Sequence, residues 1–257
     1  MVFHEFPTLR SDSSDSTKYE VMNNEYIELD IADAIMERPY SFTIDERHFF
    51  LYQPTLGHLY MIHPILDGMG VNESMLSHNP YEEALRLCMA DVDRVCRVVA
   101  YLTIKRPTLL FKDSYVQERM EYLKANLTVE DLAQLFILAL TFDKTQEFME
   151  HLGIDREQRD KERVMKAKDD NGNTYMFGGK STYGTLLASA CSQLGLTPRQ
   201  AVWDISYVNL KMMLADNITS VYLTDEEKKR CRLPNDRTFI SGDDAGNMDK
   251  IMAMFND

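Results

Sequence analysis

Six histidines, four cysteines and one Gly-Gly-Lys-Ser run are the groups in this 257-residue chain whose chemistry could make a site. His4, His48, His58, His63, His78 and His151 form neither H-x-x-x-H nor H-E-x-x-H, and no cysteine or carboxylate cluster stands at ligand spacing beside them. No metal site is therefore expected. Cys88, Cys96, Cys191 and Cys231 include no C-x-x-C pair; they read as small core residues of a reduced cytosol. Cys88 and Cys96 are placed on one predicted helix, too far apart to bond. Asp169-Asp-Asn-Gly-Asn173 has the look of a calcium loop, but its glycine comes too early and Lys180 stands where a bidentate glutamate is required, so a turn is expected. Gly178-Gly179-Lys180-Ser181 has the form of a phosphate-loop end. However, Thr174 holds the place of the first glycine, and KAKDDNGNTYM before it is no apolar strand. That segment is expected to be a flexible turn with Ser181 capping a helix. There is no G-x-S-x-G and no cysteine with an activating neighbourhood in sequence. The expectation is a chain with no catalytic residue, no cofactor and no metal.

The elements that would position any site are mostly helical. In Lys180–Leu214, Leu186, Leu187, Ala190, Cys191 and Leu194 recur at helical spacing, and Gly195 follows as a left-handed stop. Thr197 and Pro198 restart a helix as cap and first residue. Trp203, the only tryptophan, falls in the next turn with Val202 and Ile205. Ser206 caps a further helix carrying Leu210, Met213 and Leu214, which Ile218–Leu223 is expected to extend. Earlier, Tyr40–Ile44 alternates with period two, Asp45–Arg47 turns and His48–Tyr52 returns, which predicts a β-hairpin whose Tyr40, Phe42 and Ile44 need a helical cover. Pro54-Thr-Leu-Gly57 leads into a helix over His58–Leu66, interrupted by Pro64 and ended at Asp67-Gly-Met-Gly70. One long helix is predicted over residues 80–104, stopped by Pro107, and another over Ser114–Ala125. Thr128-Val-Glu-Asp131 is a capping box that opens a strongly apolar helix from Leu132 to Phe142. Phe148, Leu152 and Ile154 follow around Gly153. Residues 156–168 are mixed-charge and read as a solvated helix; Thr224–Glu227 looks like another capped start, and the polar tail carries a short amphipathic end over residues 248–255.

The predicted fold class is mainly α: a helical bundle with one small N-terminal β-hairpin, and a second small helical domain. The expected division is an acidic, partly disordered arm over residues 1–38, a hairpin-plus-helix domain over 39–168, and a C-terminal helical domain with a polar tail over 169–257. The arm sets three basic side chains against nine acidic ones, and its segment Tyr26–Met36 carries Ile27, Ile31, Ala34 and Ile35 at helical intervals. It is expected to dock on its own domain. The net charge of −13 argues against nucleic acid or an anionic membrane surface as partner. No signal peptide and no membrane span are read, which places the chain in the cytoplasm.

Sixteen methionines, several of them clustered, and a tryptophan among small helices suit surfaces that accept varied partners as well as irregular cores. The candidate partner-binding residues are Tyr183, Leu187, Trp203, Tyr207, Met212 and Met213. Two stretches, YSFTIDERHFFLYQPTLGHLYMIHPIL over residues 40–66 and TLLASACSQLGLTPRQAVWDISYVNLKMMLAD over 185–216, resemble bacteriophage tail assembly chaperones: a strand pair then Pro-Thr-Leu-Gly and a helix, and a small-residue helix with a Gly-Leu-Thr-Pro break before an aromatic-bearing one. Together they cover about a quarter of the chain. The resemblance implies a mostly helical protein that binds the tape-measure protein while a tail tube assembles, in the host cytoplasm. Such families often make the second part by ribosomal frameshift, whereas here both parts are continuous. It leaves homo-oligomerisation open. The alternative is a structural tail or neck component, retained in the virion, whose arm contacts neighbouring subunits.

Overall fold

The computed structural model describes residues 16–168 and 179–231. Its elements are α1 (Ser16–Ile35), β1 (Tyr40–Ile44), β2 (Arg47–Leu51), α2 (Leu56–Met69), α3 (Glu73–His78), α4 (Pro80–Ala90), α5 (Val92–Leu102), α6 (Pro107–Leu110), α7 (Asp113–Asn126), α8 (Val129–Leu140), α9 (Thr145–His151), α10 (Ile154–Lys168), α11 (Thr182–Gln193), a π-helical turn (Gln200–Asp204), α12 (Tyr207–Ala215) and α13 (Asp225–Cys231). The fold is mainly α with one antiparallel hairpin, as the periodicities require.

Two compact units divide the chain. The larger runs to Asp155 and resumes up to Ile218. Its centre is a helix layer in which α5 packs on α7 and α8, α4 on α8, and α2 on α5. Leu87, Leu102, Leu123, Leu132, Leu135 and Phe136 are completely buried there, each stabilising the fold by roughly 1.5–3 kcal/mol. The hairpin covers one side. Phe42 stacks on Phe49 across the strands at 5.5 Å, and Phe49 meets Tyr122 of α7 at 5.6 Å. Its two-residue loop places Asp45 at φ +52°, so Arg47 pairs with Ile44 inside the ladder instead of lying in the turn. The smaller unit, described by itself, contains α10 from Arg156 and α13; Val164 and Cys231 are buried, and the Cys231 thiol donates to the Arg163 carbonyl at 4.0 Å.

This division differs from the one composition suggested. The elements α11, π-helical turn and α12 belong to the larger unit. Backbone pairing explains why: the Tyr207 amide donates to the Pro54 carbonyl at 2.8 Å and Thr55 bridges to Ser206. The arm docks on its own domain, as the spacing of Ile27, Ile31, Ala34 and Ile35 predicts, on a helix that begins earlier than Tyr26. Residues 16–35 are one helix whose Ile31 and Ala34 pack against Phe148 of α9 and Val208 of α12.

Other boundaries moved for local reasons. The single long helix over 80–104 is two, because Asp91 takes φ −153° and turns its carboxylate onto the Arg94 amide. Asp91 thereby ends α4 and caps α5, and it carries Cys88 and Cys96 on separate helices, both free and buried. Pro64 does not interrupt α2; it lies on an exposed face, where water can solvate the carbonyl its ring frees. Pro107 starts α6 after α5 has already stopped. Residues Ile218–Leu223 do not extend α12, which ends at Ala215. Elsewhere the capping residues act as their spacing predicts. Thr128 and Asp131 exchange both bonds of a capping box, Gly195 sits at φ +65°, Ser206 caps α12, and Thr224 pairs with Glu227. The Asp169–Asn173 turn and the amphipathic tail over 248–255 lie outside the described residues.

Candidate interaction site

The six residues singled out as partner contacts do not form one surface. Trp203 lies over Gly57, and its ring meets the His58 and Phe111 rings edge-on at 5.9 and 5.7 Å. The Tyr183 hydroxyl is 2.7 Å from His63 Nδ1, and its ring meets Tyr60. Leu187 and Tyr207 pack around the buried Leu56, Ala190, Ala201 and Leu210. Met212 packs against the α1 seat. Met213 is exposed. Most of these side chains join α11, α12 and the π-helical turn to α2, which gives the helical restart at Thr197-Pro198 its structural purpose. Thr197 and Gln200 exchange capping-box bonds there.

A second buried network anchors the junction. His58 is the third residue of α2 and is almost fully buried. Its Nδ1 receives the Thr55 amide at 3.3 Å and lies 2.9 Å from the Thr55 hydroxyl, while Nε2 is 3.3 Å from the Ile104 carbonyl. Burial pushes its pKa below the ordinary value, against the opposing effect of the Ile104 carbonyl. The ring is a neutral structural crosslink, one a spacing search for metal ligands could not distinguish from a lone histidine.

A concave feature lies elsewhere. A cavity of about 630 Å³ opens between α1, the hairpin, α8, α9 and α12. Leu51, Ile137, Leu138, Phe142, Phe148 and Val208 supply much of its apolar wall. Ion pairs stand at its side: Lys144 Nζ to Asp30 at 2.5 Å, and Arg38 to Asp33 at 3.1 Å. Tyr40, 44% exposed, lines it too, and burial and the Asp30 carboxylate raise its pKa. Gln53 donates to the Asp33 carbonyl at 3.2 Å, while its Oε1 is buried and accepts no hydrogen bond from the described residues. Volume and lining match what holds apolar groups with a few orienting polar ones. The residues come from seven elements, α1, β1, β2, α5, α8, α9 and α12, spread over residues 30–208, so no local motif marks them. The one sequence signal was Tyr40, Phe42 and Ile44 on a strand face; Tyr40 alone leaves the core to line the opening.

Among the described residues no group of three or more His, Cys, Asp or Glu side chains could hold a metal ion, and no helix is long and apolar enough to cross a membrane. The chain matches no family model, no curated protein and no solved structure.

Proposed function

We propose that this chain is a non-enzymatic protein-binding module that takes apolar anchor side chains of a partner helix into the cavity beside α1, in the manner of a tail assembly chaperone holding a tape-measure protein. The observation that carries the reading is the cavity itself: about 630 Å³ with a wall of Leu, Ile, Phe and Val side chains and paired charges alongside. An amphipathic helix presents anchors at i, i+3 or i+4 spacing, which is what such a depression accepts. The net charge of −13 keeps the protein away from nucleic acid and soluble beside an apolar client.

The test is co-expression with a long helical protein of the tape-measure type, using Ser41→Trp as the probe. Ser41 is exposed and lines the cavity, so the indole obstructs the opening without entering the core. Co-purification with wild type and its loss with Ser41→Trp is the expected result. Equal recovery with both chains would remove the cavity from the mechanism.

A structural particle component is the second reading, and α1 favours it. Tyr26, Leu29 and Ile35 of α1, and Met36 just after it, are each 50–64% exposed, apolar groups that a neighbouring subunit would cover. Fixed stoichiometry in finished particles would select this reading over the first.

A further inference from the structure

α1 is attached to the larger unit in a way that lets it change owners. Its buried contacts, through Ile31 and Ala34 with Ile27 beside them, lie in a satellite cluster with Phe142, Phe148, Val208 and Met212, apart from the main core. Two polar anchors flank that seat: Lys144 on Asp30, and His151 Nε2 4.0 Å from Glu28. At the other end, Asn209 donates to the Ile35 carbonyl at 3.3 Å and the Ser206 amide to Glu37 Oε1 at 2.6 Å.

The connection is short and strained. Four residues, Met36–Pro39, join α1 to β1. Glu37 sits at φ +51°, in the left-handed position that closes a helix and that glycine normally fills. Its amide bonds Ala34 and the next amide bonds Asp33, which completes the closing turn. A glutamate there is strained, and an extended chain at Glu37 would relieve it. Short hinges under strain favour exchange of the element they tether.

We propose that α1 is exchanged between copies of this chain, so that the α1 of one copy occupies the α9–α12 seat of another. The occupant is fixed by complementarity already present: the seat matches this helix, and a second copy reproduces the contacts of Ile31, Ala34 and Asp30 with it. Exchange leaves the seat filled and releases the Glu37 hinge. The cavity beside α1 is then walled by two chains, and what else enters it is a separate question.

Two singly substituted chains with different tags, Asp30→Cys and Lys144→Cys, are co-expressed at full length and treated with a short bis-maleimide. Both positions are about half exposed, so folding is retained and the thiols react. Neither chain alone carries both new thiols, so a product joining positions 30 and 144 by mass spectrometry must be a heterodimer. The expected result is that heterodimer, several-fold above the yield from Asp30→Cys with Lys112→Cys, a position remote from the seat. The chain carrying both substitutions should also form the 30–144 link, between copies where α1 is exchanged and within one copy where it is not. Absence of the heterodimer while the doubly substituted chain links internally overturns the exchange. So do equal yields with Lys112→Cys, and failure of the doubly substituted chain to link, which would place α1 away from α9.

Discussion

Trp203 lies so close over Gly57 that a Cβ on the glycine would come within 2.5 Å of the indole. The indole is the far wall of the junction between α2 and the C-terminal helices, and only a residue without a side chain lets it approach. Gly57→Ala should therefore destabilise the larger unit, although alanine is the better helix former by about 1 kcal/mol. The rigid ring is held between His58 and Phe111, so the overpacking cost of about 1–3 kcal/mol prevails. Urea unfolding followed by the single tryptophan's emission measures it, and the native spectrum should shift as the ring is displaced. An unchanged midpoint with an unchanged spectrum would mean the close approach is absent.

His58 makes the same junction sensitive to acid. Burial holds its folded pKa below the ordinary 6.5, so between that value and the lower folded one the unfolded chain binds a proton that the folded chain refuses. The stabilisation is complete above about pH 6.5 and is lost as pH falls through the folded pKa. His58→Gln keeps a side-chain acceptor at the third helical position and removes the titration. The urea midpoint should fall from pH 7 to 5 in wild type and change less in the variant. Parallel lines for the two proteins would show that His58 does not report the acid response.

Helices were legible wherever the signal was local. The capping boxes at Thr128 and Thr224 and the glycine stop at Gly195 rest on neighbours three or four residues apart, and each was read at its place. Asp91 escaped because a polar residue within a continuing 3.6-residue period looks like solvent face; its extended backbone shows only in three dimensions. The candidate site was less legible still. Trp203 and Tyr183 carry the aromatic character of an interface, but they spend it on Gly57 and His63. The cavity draws Ile137, Phe148 and Val208 to one another from helices that no spacing rule connects.

Glu83 is a carboxylate with no exposed surface, bonded by the Asn72 amide at 2.7 Å and by two Arg86 nitrogens at 2.8 and 2.6 Å. The Arg86 bonds are the main reason its pKa lies below the ordinary 4.5, with burial opposing them. Arg86→Met should lower stability at pH 7, because it leaves the buried Glu83 carboxylate without its main partner, though less than in a fully buried pair since water reaches the arginine. Glu83→Gln should cost less, since it strands no charge. The sign of the acid response separates the two effects. In wild type the Glu83 contribution is present above pH 4.5 and lost as pH falls through the lower folded value. In Arg86→Met, burial is opposed only by the Asn72 amide, so the folded pKa rises and lowering pH toward 4 should narrow the deficit. A deficit that widens there would contradict the pairing.

α1 should open before the rest of the larger unit does. Its seat is a satellite cluster, whereas α5 and α8 are buried among Leu87, Leu102, Leu132 and Phe136. Local opening follows the apolar contact a segment would lose. The amides of residues 27–35 should therefore exchange with deuterium faster than those of α5 and α8 under native conditions. Ile31→Ala deletes one of the buried anchors, and in a seat this small it should speed α1 exchange while leaving α5 and α8 nearly unchanged; by the usual range for Ile→Ala the loss is about 2–5 kcal/mol at full burial. Lys144→Met tests the electrostatic share, because the pair to Asp30 is about half exposed and such pairs contribute about 0–1 kcal/mol, screened by salt. Its effect on α1 exchange should be smaller than that of Ile31→Ala and should vanish at high salt. If α1 instead exchanges as slowly as α5 in every variant, the helix is part of the main cooperative core and the hinge at Glu37 holds no strain that matters.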